Sequence, residues 1–366
     1  MKKQISNIQF DSFIYFIMHS CFVGISINNL FFISKQNTPI SILFAIIIGL
    51  IPIFIFLYIM NYKPNLSIIE LNQELFGRKI ALILNLLLLG FVLSLAVTIF
   101  YNLCNFINSQ YLYRTPVTMI GIIFAIGIWY MLSKGVPTFA RVIMILLYID
   151  IFLYLLSFIG LVGQVDINNL RPFMDEGLQP IVTGSLHYVA YNILPIFLLT
   201  IIPKDQIKKD RHFNQHVIYS YLITNVMLFI IAFCTLSILG IELCQLYQYA
   251  EFHILKRVSI LGFITRVENT LSIQWIFDML ITCAIAVYFV ENGIKRIWHT
   301  QSEKKEKIIY TVLLGIIFFL SEIIFPTNTD AYQFLSKVYP FLLYIFFFLV
   351  PLGIMLKIFY TEKKKS

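Results

Sequence analysis

The sequence predicts an all-α polytopic membrane protein with ten transmembrane helices, and three observations carry that prediction. Hydrophobic residues fill 59% of the 366 positions, charged residues only 13%, and the mean hydropathy is +0.83, far outside the range of a soluble domain. The apolar residues fall into ten runs, most of them near the twenty residues that cross a hydrocarbon core. The basic residues sit in short clusters between those runs. A formal charge of +8 would otherwise suggest a nucleic-acid partner, but distributed this way it is what membrane topology demands.

In chain order the runs fall at 8–32, 39–60, 80–106, 117–132, 141–162, 183–202, 217–239, 271–290, 308–325 and 334–358. With an even count and both ends inside, most of the 27 Lys and Arg residues lie on the inner side. The outer segments hold only Lys35, Arg114, Arg171, Lys256, Arg257, Arg266 and Lys337. Cytoplasmic retention of basic residues predicts this bias, so both termini are expected in the cytoplasm. The leader MKKQISNIQFDSF enters an apolar run too long for a signal peptide and lacks a small-residue cleavage site, so the first run is expected to stay as a helix. Cys21, Cys104, Cys234, Cys244 and Cys283 lie in or beside apolar runs without CxxC or Cys/His spacing, which argues against a disulfide framework or a zinc site.

Two connections are more than linkers. The stretch 66–79 sets Ile68, Leu71 and Leu75 against Glu70, Gln73 and Glu74, and reads either as a short amphipathic helix at the inner surface or as a capping turn. The outer loop at 240–270 is long and carries Glu251, Lys256, Arg257, Arg266 and Glu268 among aromatics, so short helices of its own are expected. The ten runs divide near Gly177 into two sets of five, about 8–162 and 183–358, within one transmembrane domain spanning 1–366. Five is odd, so the second set enters the membrane from the opposite side, the condition for an inverted repeat. In such folds the first helix of each set is broken. Pro195 interrupts the sixth run at about 191–195, and His19, Ser20, Cys21, Gly24, Ser26, Asn28 and Asn29 interrupt the first.

No Walker loop, GxGxxG, GxSxG or HExxH occurs, so nothing supports an enzyme, a metal or a cofactor. The candidates are polar groups at membrane depth, where they face a cavity or a partner. His19, Ser20, Gly24 and Ser26 suit a break whose free amides hold a ligand carboxylate, while His19 alone equally suits packing between helices. Tyr191, Asn192 and Pro195 form the facing break, with Asn192 either touching a ligand or closing the kink. Phe100 and Tyr101 are placed near the site. Asp150, Asp278 and Glu322 are intramembrane carboxylates, one of them a candidate proton-coupling group, with a structural ion pair or hydrogen bond as the other reading, favoured for Glu322 a few residues before Pro326; Arg266 and Glu268 either gate the site or anchor the outer loop.

Several stretches together resemble the spore germination permease family, the B-subunit type of germinant receptor, itself similar to amino acid/polyamine/organocation transporters with a 5+5 inverted-repeat fold. They are PNLSIIELNQELFGRKI at 64–80, YRTP at 113–116, KGVPTFARV at 134–142, NNLRPFMDEGLQPIVTGSL at 168–186 and RVSILGFITRVENTLSIQW at 257–275. The last is the most specific, with Arg266-Val267-Glu268 a few residues before Trp275. The chain departs from the family pattern in two places. It lacks a Gly-rich stretch ending in Leu-Pro in the first run, and Asn192 falls where a glutamate is common. What the resemblance implies is a receptor subunit in the inner membrane of a dormant spore. It would bind a small germinant, commonly an amino acid, and work with a larger membrane A subunit and a lipoprotein C subunit. An H⁺- or Na⁺-coupled amino acid permease and an ion-conducting subunit are the competing readings. Asn192 points to a neutral polar contact rather than a proton relay.

Overall fold

The computed structural model describes residues 4–364 except 173, 176, 209–211, 257–267, 300, 301 and 326. The described residues form helices joined by short connections, and their one β contact is an isolated bridge between Ile5 and Ile207. Eight helices are long and apolar enough to cross a membrane: Asn7–Ile33, Lys35–Tyr62, Ile68–Gln110, Val136–Gln164, Gln179–Ile201, Phe213–Leu239, Leu271–Trp298 and Tyr339–Lys363. The remaining two apolar runs are helical as well. Val117–Ser133 is shorter, and Lys304–Ile323 is followed after a sharp 106° bend by Asn328–Lys337. The last run therefore starts later than its hydropathy suggests. Thr327 caps the short helix by accepting the Asp330 amide, and Pro340 opens the helix that follows, so the chain is punctuated on both sides of Asn328–Lys337.

Burial ranks the helices. In Asn7–Ile33 and Gln179–Ile201, the helices interrupted at Gly24 and Pro195, 83% of the most apolar window is buried, against 22% in Val136–Gln164 and 28% in Tyr339–Lys363. The interrupted helices are thus the centre of the bundle, and the outer ones turn side chains such as Ile123, Phe152 and Phe341 outward. Lipid tails are as apolar as leucine, so helices associate here through close fit and hydrogen bonds rather than through hydrophobic burial. Gly293 shows the fit: a β-carbon there would collide with the Leu89 side chain on the Ile68–Gln110 helix.

Polar ties gather on one face of the bundle. Ile5 exchanges backbone hydrogen bonds with Gln206 and Lys208, Asp205 donates to the Pro64 carbonyl at 2.7 Å, and Tyr58 donates to Glu362 at 3.1 Å. Arg296 pairs with Glu70 on the same face. Segments near both ends of the chain therefore share a side. The 66–79 stretch does hold a short helix: Ser67 and Glu70 form a reciprocal capping box, and Gly77, at φ +76° and ψ 164°, turns the chain into the long helix that follows. The outer loop carries two short helices, Ile241–Leu246 and Ala250–Leu255.

Candidate functional site

The first interruption is built on Gly24. Val23 leaves the helix at ψ 129°, and Gly24 takes φ +72° and ψ −8°, a left-handed conformation that costs an ordinary residue about 1–2 kcal/mol. Space gives a second reason for glycine. A β-carbon would stand 2.5 Å from Tyr249 Cε1 and 2.8 Å from Trp275 Cη2. The break leaves the Gly24 amide outside the helical pattern, and that amide donates to Glu251 Oε1 at 2.9 Å.

The second interruption is built on Pro195, which has no amide to donate. The chain widens by one residue there: Leu194 N–H bonds to the carbonyl of Val189, and Leu194–Ile201 continues as a tighter 3₁₀ helix. Asn192 lies in the widened turn and donates from Nδ2 to the Met18 carbonyl at 3.0 Å, so the sixth-run interruption satisfies a backbone group beside the first. Its Oδ1 is buried without a partner. The two interruptions meet, and Phe22 sets its edge against the Tyr188 ring.

The 240–256 segment closes the Gly24 break. Tyr249 and Trp275 pack edge to face with centroids 5.2 Å apart, and Phe106 completes the cluster 4.2 Å from Trp275. Glu251, on the Ala250–Leu255 helix, is 1% exposed and keeps Oε2 without a hydrogen-bond partner, as does the Trp275 indole N–H. Burial pushes the Glu251 carboxyl up to about 7, against the opposing pull of its own amide and that of Gly24. Beside it lies a cavity of only about 30 Å³, bordered by Glu251, Gln274, Tyr154 and Ser157, which is room for a water molecule or two.

A second polar cluster lies deeper. Tyr15 donates to Asp150 Oδ2, Gln274 donates to the Asp150 carbonyl at 2.8 Å, and Asp278 is close enough to feel the charge of Asp150. Asp150 and Asp278 are buried, and Asp150 Oδ1, Asp278 Oδ1 and Gln274 Oε1 lack partners. His19 belongs here rather than to the break: Nδ1 lies 3.1 Å from the Tyr15 carbonyl and the ring stacks 4.1 Å from that of Tyr15. Among the described residues, neither aspartate forms an ion pair with Lys or Arg.

The residues singled out from the sequence thus separate. Gly24, Asn192 and Pro195 define the two interruptions, and buried Ser26 joins them with an unpartnered Oγ. Ser20 bonds back to the Ile17 carbonyl, and Tyr191 donates to the Leu335 carbonyl. Phe100 packs toward Gly121, whose β-carbon would meet it and Phe318. Tyr101 donates to Asn328 at 2.7 Å and stacks near Phe325. Phe106, further along the same helix, faces the break instead. Arg266 lies outside the described residues, as does the Glu268 side chain. Tyr249, Glu251 and Trp275 escaped the sequence reading as contact residues, although Glu251 and Trp275 sit in stretches it flagged.

A bundle centred on two interrupted, adjoining helices defines an integral membrane protein of transporter-like fold. The manganese transporter of Eremococcus coleocola shares that fold. A crystal structure of one mutant aligns over 94% of this chain and 78% of its own at TM-score 0.57 with 15% identity, and that of a second mutant aligns over 92% and 78% at 0.52. The chain belongs to the spore germination protein family, whose profile matches residues 8–330. Among relatives, spore germination protein A2 of Bacillus subtilis is 27% identical over 326 residues, covering 87% of this chain and 86% of its own. Spore germination protein KB of the same organism is 20% identical, covering 77% and 76%, and spore germination protein XB of Bacillus anthracis is 22% identical, covering 77% of each.

Proposed function

We propose that this chain is the B subunit of a spore germinant receptor that binds an amino acid germinant at the Gly24 interruption. The reading places it in the inner membrane of the dormant spore, termini cytoplasmic, beside a larger A subunit and a C-subunit lipoprotein. It takes the fold as ten crossings in two inverted sets of five. The observation that carries it is the Gly24 amide, freed by a left-handed residue at the centre of the bundle and walled by Tyr249, Trp275 and Phe106. Ligand binding shifts the bundle between two arrangements by differential affinity, and the partner subunits read the shift. Arg266 and Glu268 share the outer loop with Glu251 and act with it in gating. Gly24→Leu tests this reading. Spores carrying it should lose the germinant response while keeping normal protein levels, and a wild-type response would remove the site.

One observation favours a second reading, a proton- or sodium-coupled permease. Two buried aspartates with unpartnered oxygens and no basic partner among the described residues call for a proton or a cation. Uptake of labelled amino acid by proteoliposomes containing this chain alone would establish transport, and its absence beside a measured binding affinity would leave the sensor.

A further inference from the structure

The Gly24 amide already holds a carboxylate, that of Glu251. The contact joins residues 227 positions apart and brings a charged side chain to 1% exposure. A tether between loop and helix needs only a neutral acceptor, and a carboxylate pays a desolvation penalty that an amide or hydroxyl would not. One oxygen of Glu251 meets the amide, and the other is buried without a donor among the described residues. Among the described residues, the space beside Glu251 is too small for a second occupant. The adjoining cavity of about 30 Å³ is far below the roughly 300 Å³ at which small-molecule pockets begin. A ligand therefore reaches Gly24 only when Glu251 leaves. Glu251 lies on a six-residue helix whose Ala250, Phe252, Ile254 and Leu255 are buried in the bundle, so what withdraws is the Glu251 side chain with the short helix that carries it; the segment just before it is tied by Asn28 Nδ2 on the Tyr247 carbonyl at 3.1 Å and Asn105 Nδ2 on Tyr249 at 3.4 Å.

Resting on the germinant-binding reading above, we infer that Glu251 occupies the carboxylate subsite of this pocket, and that the germinant is a carboxylate-bearing molecule that displaces it from the Gly24 amide. Among the described residues, the Trp275 indole N–H and the Ser26 hydroxyl are also buried without a hydrogen-bond partner. Competition with the internal carboxylate lowers the apparent affinity of the germinant by the fraction of molecules in which Glu251 has withdrawn. Two consequences separate this role from a structural one. Removing the competitor strengthens ligand binding, and a ligand whose carboxylate is replaced by a carboxamide loses most of its affinity.

The test uses full-length protein in lipid nanodiscs titrated with each of the twenty amino acids and their carboxamides, in wild type, Glu251→Ala, Glu251→Gln and Gly24→Leu. The expected result is that an amino acid binds Glu251→Ala about tenfold tighter than wild type, with Glu251→Gln, which keeps the neutral acceptor of the protonated side chain, no tighter than wild type, and the carboxamides at least tenfold weaker. Equal or weaker binding by Glu251→Ala, or equal binding of acid and carboxamide, overturns the inference. If Glu251→Ala does not fold, Glu251→Ser decides by the same comparison. Gly24→Leu separates the two levels of the argument. Abolished binding there with unchanged affinity in Glu251→Ala keeps the germinant site and rejects the internal competitor. Undiminished binding in Gly24→Leu, or no amino acid bound by any variant, rejects both.

Discussion

The two interruptions at the centre of the bundle are made by different residues and closed in different ways. At Pro195 the defect lies in the sequence itself, and the backbone heals it locally, with Leu194 reaching back to Val189, while Asn192 ties the widened turn to Met18 on the first span. At Gly24 the freed amide is satisfied by a side chain from a separate loop. A break closed by its own neighbours persists in any arrangement of the bundle and acts as a fixed bearing. A break closed by a loop can be opened by moving that loop. On the proposed function, the ligand-responsive half of the site is the first interruption, and the sixth run supplies the rigid wall.

That contrast can be broken in several places. The largest effect is expected from Gly24→Ala, where a β-carbon inside contact distance of Tyr249 and Trp275 adds to the left-handed strain. Amino acid binding should fall below detection by calorimetry while the protein still elutes as a folded species. Next comes Asn192→Ala, which strands the buried Met18 carbonyl at a cost of about 1–3 kcal/mol. Its midpoint in thermal unfolding should drop, with ligand affinity reduced only in proportion. An unchanged midpoint would show that the fixed wall does not depend on this bond.

The third effect is on pH. Burial raises the Glu251 carboxyl from 4.5 to about 7, so the docked loop binds a proton more tightly than the withdrawn one. Docking is therefore fully favoured below about 4.5 and progressively lost as pH rises toward 7, and ligand affinity should climb across that window, then level off. Among the described residues, the titratable side chains facing Glu251 are Tyr249 and Cys244, both pushed up by burial, together with Tyr154 and Cys234 along the cavity. All are phenols or thiols, so Glu251 is the group that carries the effect. Glu251→Gln should flatten the profile, and a slope that persists in it would assign the titration elsewhere. The smallest effect is expected from Tyr101→Phe, which loses a hydrogen bond to Asn328 away from the break. Binding should change by less than about twofold, well under 1 kcal/mol.

Local patterns made much of this legible in the sequence. Runs of apolar residues give helices, Pro195 removes a donor wherever it stands, and a carboxylate such as Asp150 at membrane depth requires company. What stayed hidden depends on rotation and on distance along the chain. The Ile68–Gln110 helix is apolar on nearly every side, so its sequence carries no phase, and Phe100 and Tyr101 could not be told from Phe106 as the residue facing the break. The Gly24–Glu251 contact links a helix near the start of the chain to a loop two-thirds of the way along it, and neither local hydropathy nor charge pairing points from one to the other. The first run's break was expected to hold a ligand carboxylate, and the carboxylate on its amide in the structure is that of Glu251.

The central claim is that ligand replaces Glu251 at the Gly24 amide. Hydrogen exchange measured by mass spectrometry on the full-length protein in nanodiscs, with and without a saturating amino acid that binds it, tests this most directly. The account predicts faster exchange in the Ala250–Leu255 segment, which leaves its seat, with undiminished protection of the amides around Gly24, which gain a new acceptor. Unchanged exchange in Ala250–Leu255 at full ligand occupancy would contradict it.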